Sequence, residues 1–250
     1  MSGSEKVRRI AMWSGPRNVS TALMRSFGQR ADCVVSDEPF YAAYLASTGF
    51  DHPMRAEVLA SQPVDWRLVV RGLLGPPPAP AAIWYQKHMT HHMVDGFGRD
   101  WIDAVDNAFL IRDPAAVIAS YALKRPGEFS LDEIGLPAQA DLFDRAAQKL
   151  GRAPPVVDAD DLLADPRGIL AALCEALGIP FGEVMLSWPP GRRASDGVWA
   201  PAWYDRVEAS IGFEPPAKRP SPILPPALER VAERAAPLHA ELAAHRLRAG

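Results

Sequence analysis

The sequence predicts an α/β protein, a three-layer sandwich with a central parallel sheet, from two observations. Short apolar runs bounded by turn residues repeat along the chain, which is typical of strands buried on both faces. Segments with helical spacing of apolar residues follow these runs, and this alternation implies right-handed crossovers. Because ligands of such sheets bind at the carboxyl ends of the strands, we expect functional residues in the loops that follow the strands.

Five apolar runs are predicted to form the strands, at 10–13, 33–35, 83–85, 108–111 and 155–157. After the first run, Val19, Leu23 and Phe27 are four residues apart, as on one face of a helix. After the fourth run, Asp113 and Pro114 are typical of a helix cap followed by the first helical position.

Helix signals continue in the last third of the chain. After the fifth run, Asp160 or Asp161 is predicted to cap a helical segment that ends at Gly178. A C-terminal helix is predicted at 224–246, with a kink at Pro237. Nine of the 25 prolines fall within 189–226, so 186–226 is predicted to be an irregular segment on a single domain of residues 1–250.

Composition excludes several classes of protein. The 27 Lys and Arg residues against 30 Asp and Glu residues give a net charge of −3, without the basic excess typical of nucleic-acid or anionic-membrane binding. No apolar run approaches the roughly 20 residues of a membrane span. The two cysteines are too few for a disulfide framework or a cysteine-rich zinc site. We therefore expect a soluble, cytoplasmic protein.

The first strand-loop-helix unit has the layout of a phosphate-binding loop. Its loop reads Ser14-Gly15-Pro16-Arg17-Asn18-Val19-Ser20-Thr21. Backbone N–H groups of such a loop and of the helix start face one point, where an anion is stabilised. The Gly-Lys-Ser/Thr of nucleotide triphosphatases is missing, whereas an arginine and two hydroxyls are present, which suits a fixed anionic group. The alternative is a capped helix with a surface arginine.

A second strand-helix unit carries another candidate anion site. Arg112 ends the fourth run, and Ser120 lies eight residues further on the following helix. At about 1.5 Å per residue this is roughly 10 Å along the helix, within reach of a folded-back arginine. Two such sites suit a ligand with two phosphate-like groups. The alternative for Arg112 is a structural ion pair with Asp113 or Asp106.

Together these two units resemble the sulfotransferase superfamily. Residues 16–21 are similar to its Pro-Arg/Lys-Ser-Gly-Thr-Thr loop, with Asn18 and Val19 in place of Ser-Gly. Arg112-Asp113-Pro114 with Ser120 matches its Arg-Asp-Pro segment, and 160–180 is similar to its late strand-helix unit. The resemblance spans residues 7–181. Because a β-branched residue rarely adopts positive φ, Val19 predicts a slightly different loop path.

The resemblance implies a P-loop NTPase-like sulfotransferase fold and a function. The donor would be 3′-phosphoadenosine 5′-phosphosulfate (PAPS), and the acceptor a hydroxyl or amine of a small molecule. The donor-binding residues it implies are Gly15, Pro16, Arg17, Asn18, Val19, Ser20, Thr21, Arg112 and Ser120, joined by Arg192 or Arg193 in a late loop. The alternative interpretation of that loop is a solvated turn beside a core tryptophan, Trp199.

Catalysis of sulfuryl transfer needs positive charge at the reacting group and a base for the acceptor proton. Arg17 and Lys87 are the candidates for the charge. Two residues compete as the base on the resemblance. Glu38 follows the second strand, where the bacterial and heparan-type sulfotransferases that this chain resembles have a glutamate, and His88, which directly follows Lys87, lies close to the Lys-Thr-His run of the cytosolic mammalian type. We favour Glu38.

Other functions stay open on the sequence. A P-loop kinase-like phosphotransferase is the second enzyme, and a nucleotide-binding protein without catalysis is suggested by the Asn18-Val19 departure. His88, His91, His92 and Asp95 have the spacing of metal ligands on a helix, but no distant ligand completes a signature. We therefore expect no metal. The sequence leaves the oligomeric state open.

Overall fold

The computed structural model describes residues 7–215 and 222–250. Its five-stranded sheet has the order β2-β3-β1-β4-β5, and every neighbouring pair is parallel. The strands are β1 (Arg8–Ser14), β2 (Cys33–Asp37), β3 (Ile83–Met89), β4 (Asp106–Ile111) and β5 (Val156–Asp158). Each predicted apolar run lies on one of these strands, so the parallel α/β architecture is confirmed.

The helices are α1 (Ser20–Phe27), α2 (Tyr41–Thr48), α3 (Arg55–Ser61), α4 (Trp66–Leu74), α5 (Pro114–Ala122), α6 (Leu136–Leu150), α7 (Ala159–Ala164), α8 (Pro166–Ala176), α9 (Ala200–Trp203), α10 (Asp205–Ala209) and α11 (Pro226–Ala243). Short 3-10 helices lie at Thr90–His92, Asp100–Ala104 and Glu183–Leu186. No helix of the described ranges is long and apolar enough to cross a membrane.

Two apolar cores sandwich the sheet, because side chains alternate between the faces of each strand. On β1, Ile10 and Met12 pack on one face against α1, α7 and α8. Ala11 and Trp13 pack on the other face against α4, α5, α6 and α11. The predicted three layers are therefore present, and the loops at the carboxyl edge of the sheet are left to form a site.

Helix starts follow the cap signals with one correction. The Asp113 side chain accepts the N–H of Ala116 and Pro114 begins α5, as predicted. The prediction of Asp160 or Asp161 as the next cap was wrong: β5 runs one residue further, and the Asp158 side chain accepts the N–H groups of both residues. Asp165 then caps the separate helix α8.

The C-terminal third combines irregular structure with short helices. Within the predicted irregular segment, α9 and α10 are separated from the sheet by loops, and residues 216–221 lie outside the described chain. The predicted final helix forms as α11, from Pro226 to Ala243, and Pro237 lies inside it. Gly178 follows α8 with a φ of 63°, which confirms its position at a helix end.

Candidate active site

The carboxyl edge of the sheet brings the predicted site residues into one row. Glu38 directly follows β2, Lys87 lies near the end of β3, the 15–19 loop follows β1, and Arg112 follows β4. Because β1 is the central strand, its loop lies between the strand ends that carry Lys87 and Arg112. The chain reverses its direction of winding at β1, where ligands of open α/β sheets bind.

Backbone strain is concentrated in this row. Of the four non-glycine residues with positive φ in the described chain, three lie here: Arg17 (63°), Val19 (55°) and Glu38 (40°). Such conformations cost on the order of 1–3 kcal/mol and are typical of functional sites. The expectation that Val19 would avoid positive φ was wrong, because the valine precedes α1 as a left-handed cap residue.

The loop after β1 leaves donors for an anion. The first turn of α1 has no acidic side chain, and within the described residues the N–H groups of Val19, Ser20 and Thr21 form no hydrogen bond. Only glycine fits at Gly15, since a Cβ there would lie 2.6 Å from the Ile134 carbonyl oxygen. These free N–H groups, at the positive end of the helix dipole, favour a negatively charged ligand.

Arg17, Arg112 and Ser120 come together beside this loop, and we call the 15–21 loop with these residues the anion cradle. Arg17 Nε donates to Ser120 Oγ at 3.0 Å, and Arg112 Nη1 donates to the Arg17 carbonyl oxygen at 3.0 Å. The Arg112 guanidinium therefore lies against the backbone of the loop, and Ser120 binds Arg17 rather than Arg112. Burial lowers the pKa of Arg17, but an arginine stays charged.

Asn18 anchors the loop to the neighbouring strand. Its Nδ2 donates to the Leu110 carbonyl oxygen at 3.2 Å, and its Oδ1 is buried without a hydrogen-bond partner among the described residues. A small cleft beside it is lined by Gly15, Arg112 and Gln139 among others. The asparagine at this position therefore ties the loop to β4 and leaves one buried polar atom, Oδ1, without a partner among the described residues.

A second group of side chains, which we call the carboxylate–lysine cluster, contains Asp37, Glu38, Lys87 and Tyr204. Lys87 Nζ donates to Glu38 Oε1 at 2.7 Å, to Asp37 Oδ1 at 2.9 Å and to Tyr204 Oη at 2.6 Å. The parallel register places Asp37 beside Lys87 on the same face of the sheet. The structure thus brings the predicted Glu38 and Lys87 together.

Charge and burial govern protonation in this cluster. Burial raises the pKa of Glu38, the charge of Lys87 opposes this, and the charge of Asp37 adds to it. Burial alone lowers the pKa of Lys87, yet the two carboxylates raise that pKa well above its ordinary value. Lys87 therefore stays charged, and Glu38 has a stronger affinity for a proton than a free carboxylate.

Lys87 has no donor left for a ligand, because its three N–H bonds match its three acceptors. The expectation that it meets the transferred group does not fit this arrangement. Arg17, by contrast, uses only its Nε in a hydrogen bond among the described residues. Of these two cations, Arg17 is therefore the one with N–H donors left for a ligand.

His88 lies on the opposite face of β3 from Lys87. Its ring stacks on Trp13 with centroids 4.5 Å apart, and only 1% of the residue is exposed. Burial lowers its pKa to about 3, and its Nδ1 has no partner among the described residues. The structure separates His88 from Glu38 and Lys87, so it favours Glu38 of the two candidate bases.

The remaining histidines are packed among aromatic rings. His92 stacks on both Tyr41 and Tyr44, with centroids 4.7 Å apart in each pair, and His91 meets Tyr44 edge-on. Across residues 7–215 and 222–250, no three His, Cys, Asp or Glu side chains are grouped to hold a metal ion. The suggested set of His88, His91, His92 and Asp95 is therefore not assembled.

The late loop at 191–197 is tied to the sheet by buried charges. Arg25 on α1 donates to the Gly191 carbonyl oxygen and to Asp196 Oδ2, both at 2.7 Å, and the Gly197 N–H donates to Asp37 at 3.0 Å. Arg192 is exposed, and the guanidinium of Arg193 donates to the Pro189 carbonyl oxygen. Neither arginine bonds to the anion cradle, so their donor-binding role stays a prediction.

Three residues of the site had no assigned role in the sequence: Asp37, Tyr204 and Arg25. Asp37 precedes Glu38, and its register with Lys87 becomes visible only after the strands are paired. Tyr204 lies 117 residues beyond Lys87 in the irregular segment, and Trp199 beside it is a core residue, 1% exposed. No periodicity or motif marks a residue that reaches the site from a loop.

Comparison with known proteins agrees with this geometry. Residues 8–243 match the sulfotransferase domain family, and the chain belongs to that family. It is 38% identical over 236 residues, 94% of the chain, to branched-chain-amino-acid aminotransferase-like protein 1 of Arabidopsis thaliana. It is 37% identical over 211 residues, 84% of the chain, to protein 2 of the same name and plant. The chain spans only 42% and 37% of the lengths of these two relatives.

Solved sulfotransferase structures share the fold at low identity. The sulfotransferase domain from the curacin biosynthetic pathway superposes with a TM-score of 0.53 at 16% identity, covering 93% of this chain and 99% of that domain. The domain from the Synechococcus PCC 7002 olefin synthase has a TM-score of 0.51 at 18% identity, covering 94% and 98%. The sulfotransferase of Alicyclobacillus acidocaldarius has 0.51 at 15%, covering 96% and 97%. The predicted sulfotransferase fold is therefore confirmed.

Proposed function

We propose that this chain is a sulfotransferase that moves a sulfuryl group from PAPS to a hydroxyl or amine of a small-molecule acceptor. One observation carries the proposal. The anion cradle and the carboxylate–lysine cluster occur at the same edge of the sheet, on β1 and β4 for the cradle and on β2 and β3 for the cluster. A site for an anionic donor thus adjoins a carboxylate able to accept a proton.

The cradle fits a donor with two phosphate-like groups. The free N–H groups at the start of α1 and the Arg17 guanidinium, which Ser120 holds, suit one group, and Arg112 suits a second. Among residues 7–215 and 222–250, Arg112 has one ion-pair contact, with its Nε 3.8 Å from Asp160 Oδ1. A phosphate-like oxygen therefore has little to displace. Bound there, PAPS would supply the sulfuryl group and a bisphosphate leaving group.

Glu38 is the group we propose as the base. Its Oε1 is held by Lys87, whereas its Oε2 accepts no hydrogen bond from the described residues. The free oxygen is the atom that takes the proton of the acceptor hydroxyl or amine. Its side chain is 11% exposed, and the raised pKa that burial imposes strengthens it as a base near neutral pH.

Arg17 supplies the positive charge that such a transfer needs, and the proposal includes no metal. A planar guanidinium binds phosphate-like oxygens in pairs and keeps its charge at every relevant pH. The net charge of −3 also supports a small molecule as acceptor, rather than a nucleic acid or an anionic membrane, and we place the reaction in the cytoplasm.

Two other functions make different predictions. A P-loop kinase-like enzyme would bind ATP with magnesium, but the loop has Arg17-Asn18-Val19 and no lysine before Ser20. A nucleotide-binding protein without catalysis would have no need of a proton acceptor beside the cradle. The strained Glu38, held by Lys87 and backed by Asp37, supports catalysis over binding alone.

Binding and turnover test the proposal. Adenosine 3′,5′-bisphosphate should raise the melting temperature, and Arg112→Ala should weaken binding about tenfold or more, because a charged hydrogen bond contributes on the order of 1.5–3 kcal/mol. Arg152→Ala, an exposed arginine before β5 at the opposite edge, is the control and should bind normally. PAPS should then be consumed in the presence of a panel of hydroxyl and amine acceptors.

Each alternative has its own outcome. Stabilisation by ATP with magnesium, and none by the bisphosphate, would replace the sulfotransferase with the kinase-like enzyme. If the bisphosphate stabilises the protein but PAPS is not consumed with any acceptor, the chain is the nucleotide-binding protein without catalysis.

A further inference from the structure

Asp37 and Tyr204 contact the proposed base and its lysine without belonging to the predicted site. Tyr204 Oη lies 2.7 and 2.9 Å from the two oxygens of Asp37, and Asp37 Oδ1 accepts from Lys87 at 2.9 Å. Asp37 is 8% and Tyr204 4% exposed. Both are therefore buried polar residues whose hydrogen bonds are confined to this cluster and the chain around it.

The direction of each hydrogen bond follows from counting donors. Tyr204 Oη accepts from Lys87 Nζ at 2.6 Å and from Trp199 Nε1 at 3.1 Å, so its own proton is given to Asp37. Asp37 Oδ2 also accepts the N–H of Gly197 at 3.0 Å. Asp37 therefore receives hydrogen bonds from Lys87, Tyr204 and the late loop.

This arrangement divides one positive charge between two carboxylates. The Lys87 ammonium lies within 2.9 Å of both Asp37 and Glu38, and Lys87 and Asp37 are almost wholly buried there. If Asp37 were neutral, Lys87 would interact with Glu38 alone and hold it in the ionised form. The charge of Asp37 thus counteracts the lysine, while the Tyr204 hydroxyl disperses part of the Asp37 charge.

We propose that Asp37 and Tyr204 are positioning residues for the Glu38–Lys87 pair: they hold the ammonium of Lys87 and set, in opposite directions, how strongly Glu38 binds a proton. This inference rests on the proposed function for its catalytic meaning, although the titration of Glu38 can be measured without any ligand. It also gives the irregular segment a role, since Tyr204 and Gly197 bring that segment onto the base.

The surroundings of Glu38 support these directions. The titratable groups facing it are Lys87 from β3, Asp37 from β2, Tyr204 after α9 and Tyr41 from α2. Beyond burial, which raises the pKa of Glu38, the charge of Lys87 lowers it and the charge of Asp37 raises it. Tyr204 donates its proton to Asp37, so it weakens the effect of the Asp37 charge on Glu38. Replacing Asp37 and replacing Tyr204 are therefore predicted to shift the proton affinity of Glu38 oppositely.

The test is a titration of Glu38 in the ligand-free protein. Carboxyl-carbon-labelled glutamate gives an NMR signal for each glutamate, and the signal lost in Glu38→Gln identifies Glu38. We expect Asp37→Asn to lower the titration midpoint of Glu38 and Tyr204→Phe to raise it. The matched controls are Asp32→Asn, at the start of the same strand region beside Arg30, and Tyr85→Phe, a buried tyrosine on the Lys87 face of β3.

Turnover provides the second readout. The acid limb of the pH dependence of PAPS consumption should move in the same direction as the Glu38 midpoint, and Asp37→Asn should lose on the order of tenfold in rate at neutral pH because the base is weaker. Adenosine 3′,5′-bisphosphate binding by each variant reports that the fold and the cradle are intact. A merely structural role would lower the rate without moving either pH value.

Two results would overturn the inference: midpoints that move in the same direction in Asp37→Asn and Tyr204→Phe, or midpoints that move no further than in the controls. Failure of the proposed function is a separate outcome. In that case the wild-type protein would not bind the bisphosphate or consume PAPS, while the NMR titration would still show whether Asp37 and Tyr204 control Glu38.

Discussion

The anion cradle and the carboxylate–lysine cluster occupy the same edge of one sheet but are built in opposite ways. The cradle is half-buried, and several of its donors have no partner in the described chain. In the cluster, Lys87 is 1% exposed and each of its donors is taken. The cradle thus keeps hydrogen-bond donors free for a ligand, whereas the donors of Lys87 in the cluster are satisfied within the protein.

The energetic consequences also differ. A buried ammonium without its carboxylates, or the reverse, is strongly destabilising, because the remaining charges cannot be hydrated. Removing the partner of a half-exposed arginine costs the protein little stability, because water can still hydrate the charge. Substitutions in the cluster should therefore change folding, whereas substitutions in the cradle should change binding.

The largest expected effect is that of Lys87→Met. Two carboxylates would then be buried without their cation, which should cost about 3–5 kcal/mol of unfolding free energy in urea titrations. Lys124→Met is the matched control, since Lys124 makes a half-exposed ion pair with Asp205 at 3.2 Å. It should cost less than about 1 kcal/mol. Similar losses in the two variants would show that the cluster is no more buried in solution than a surface pair.

The second-largest expected effect is the loss of folding stability in acid, which arises from two buried histidines. Burial lowers the pKa of His88 to about 3 and that of His92 well below its ordinary value of 6.5. The pKa of each histidine is lower in the folded protein than in the unfolded chain. Its contribution to the unfolding free energy is therefore complete above pH 6.5 and is lost as the pH falls below that value. At pH 5 the burial of neutral His88 should cost about 2 kcal/mol relative to pH 7, and His92 should add to this loss in the same direction.

Unfolding free energies measured between pH 7 and pH 5 check this, with His92→Phe as the variant. The phenylalanine keeps the stacking on Tyr41 and Tyr44 but binds no proton, so the loss of stability on acidification should become smaller. His245→Gln, at an exposed position outside this cluster, is the control variant. An unchanged slope in His92→Phe would mean that His92 is already accessible to protons in the folded protein.

The smallest expected effect belongs to the cradle. Ser120→Ala removes the acceptor of Arg17 Nε, and a hydrogen bond of this kind contributes about 0.5–1.5 kcal/mol. Because Ser120 positions the Arg17 guanidinium of the cradle, calorimetry with adenosine 3′,5′-bisphosphate should show a two- to about tenfold weaker affinity, with the unfolding free energy lowered by no more than about 1.5 kcal/mol. Ser61→Ala on α3 is the control and should bind as the wild type does. If Ser120→Ala instead lost much stability and bound normally, the cradle would act on folding rather than on binding, which would contradict the comparison with the cluster.

Local signals predicted much of the fold. The apolar runs located β1 to β5, because burial on both faces of a parallel sheet requires continuous apolar segments. Asp113 with Pro114 located the start of α5, since both act within one helical turn. Asp158 was missed as a cap because the end of β5 is set by its pairing with β4, and pairing is not a local property.

The site divides in the same way. Arg17, Arg112 and Glu38 follow strands and could be predicted from the order of elements together with the resemblance to the sulfotransferases. Tyr204 could not, because it reaches Asp37 across 167 residues from a segment without periodicity. The choice between Glu38 and His88 also required the strand: β3 continues through both Lys87 and His88, so their side chains lie on opposite faces.

Residue order and composition thus established a parallel α/β sheet with cationic loops at its carboxyl edge, because patterning, caps and loop chemistry act over a few residues. Three-dimensional packing established which partners those residues have. It joined Arg17 to Ser120, enclosed Lys87 between two carboxylates and a tyrosine, and buried His88 against Trp13. Burial and long-range pairing change the charge and proton affinity of a side chain, and neither exists until distant segments of the chain are brought together.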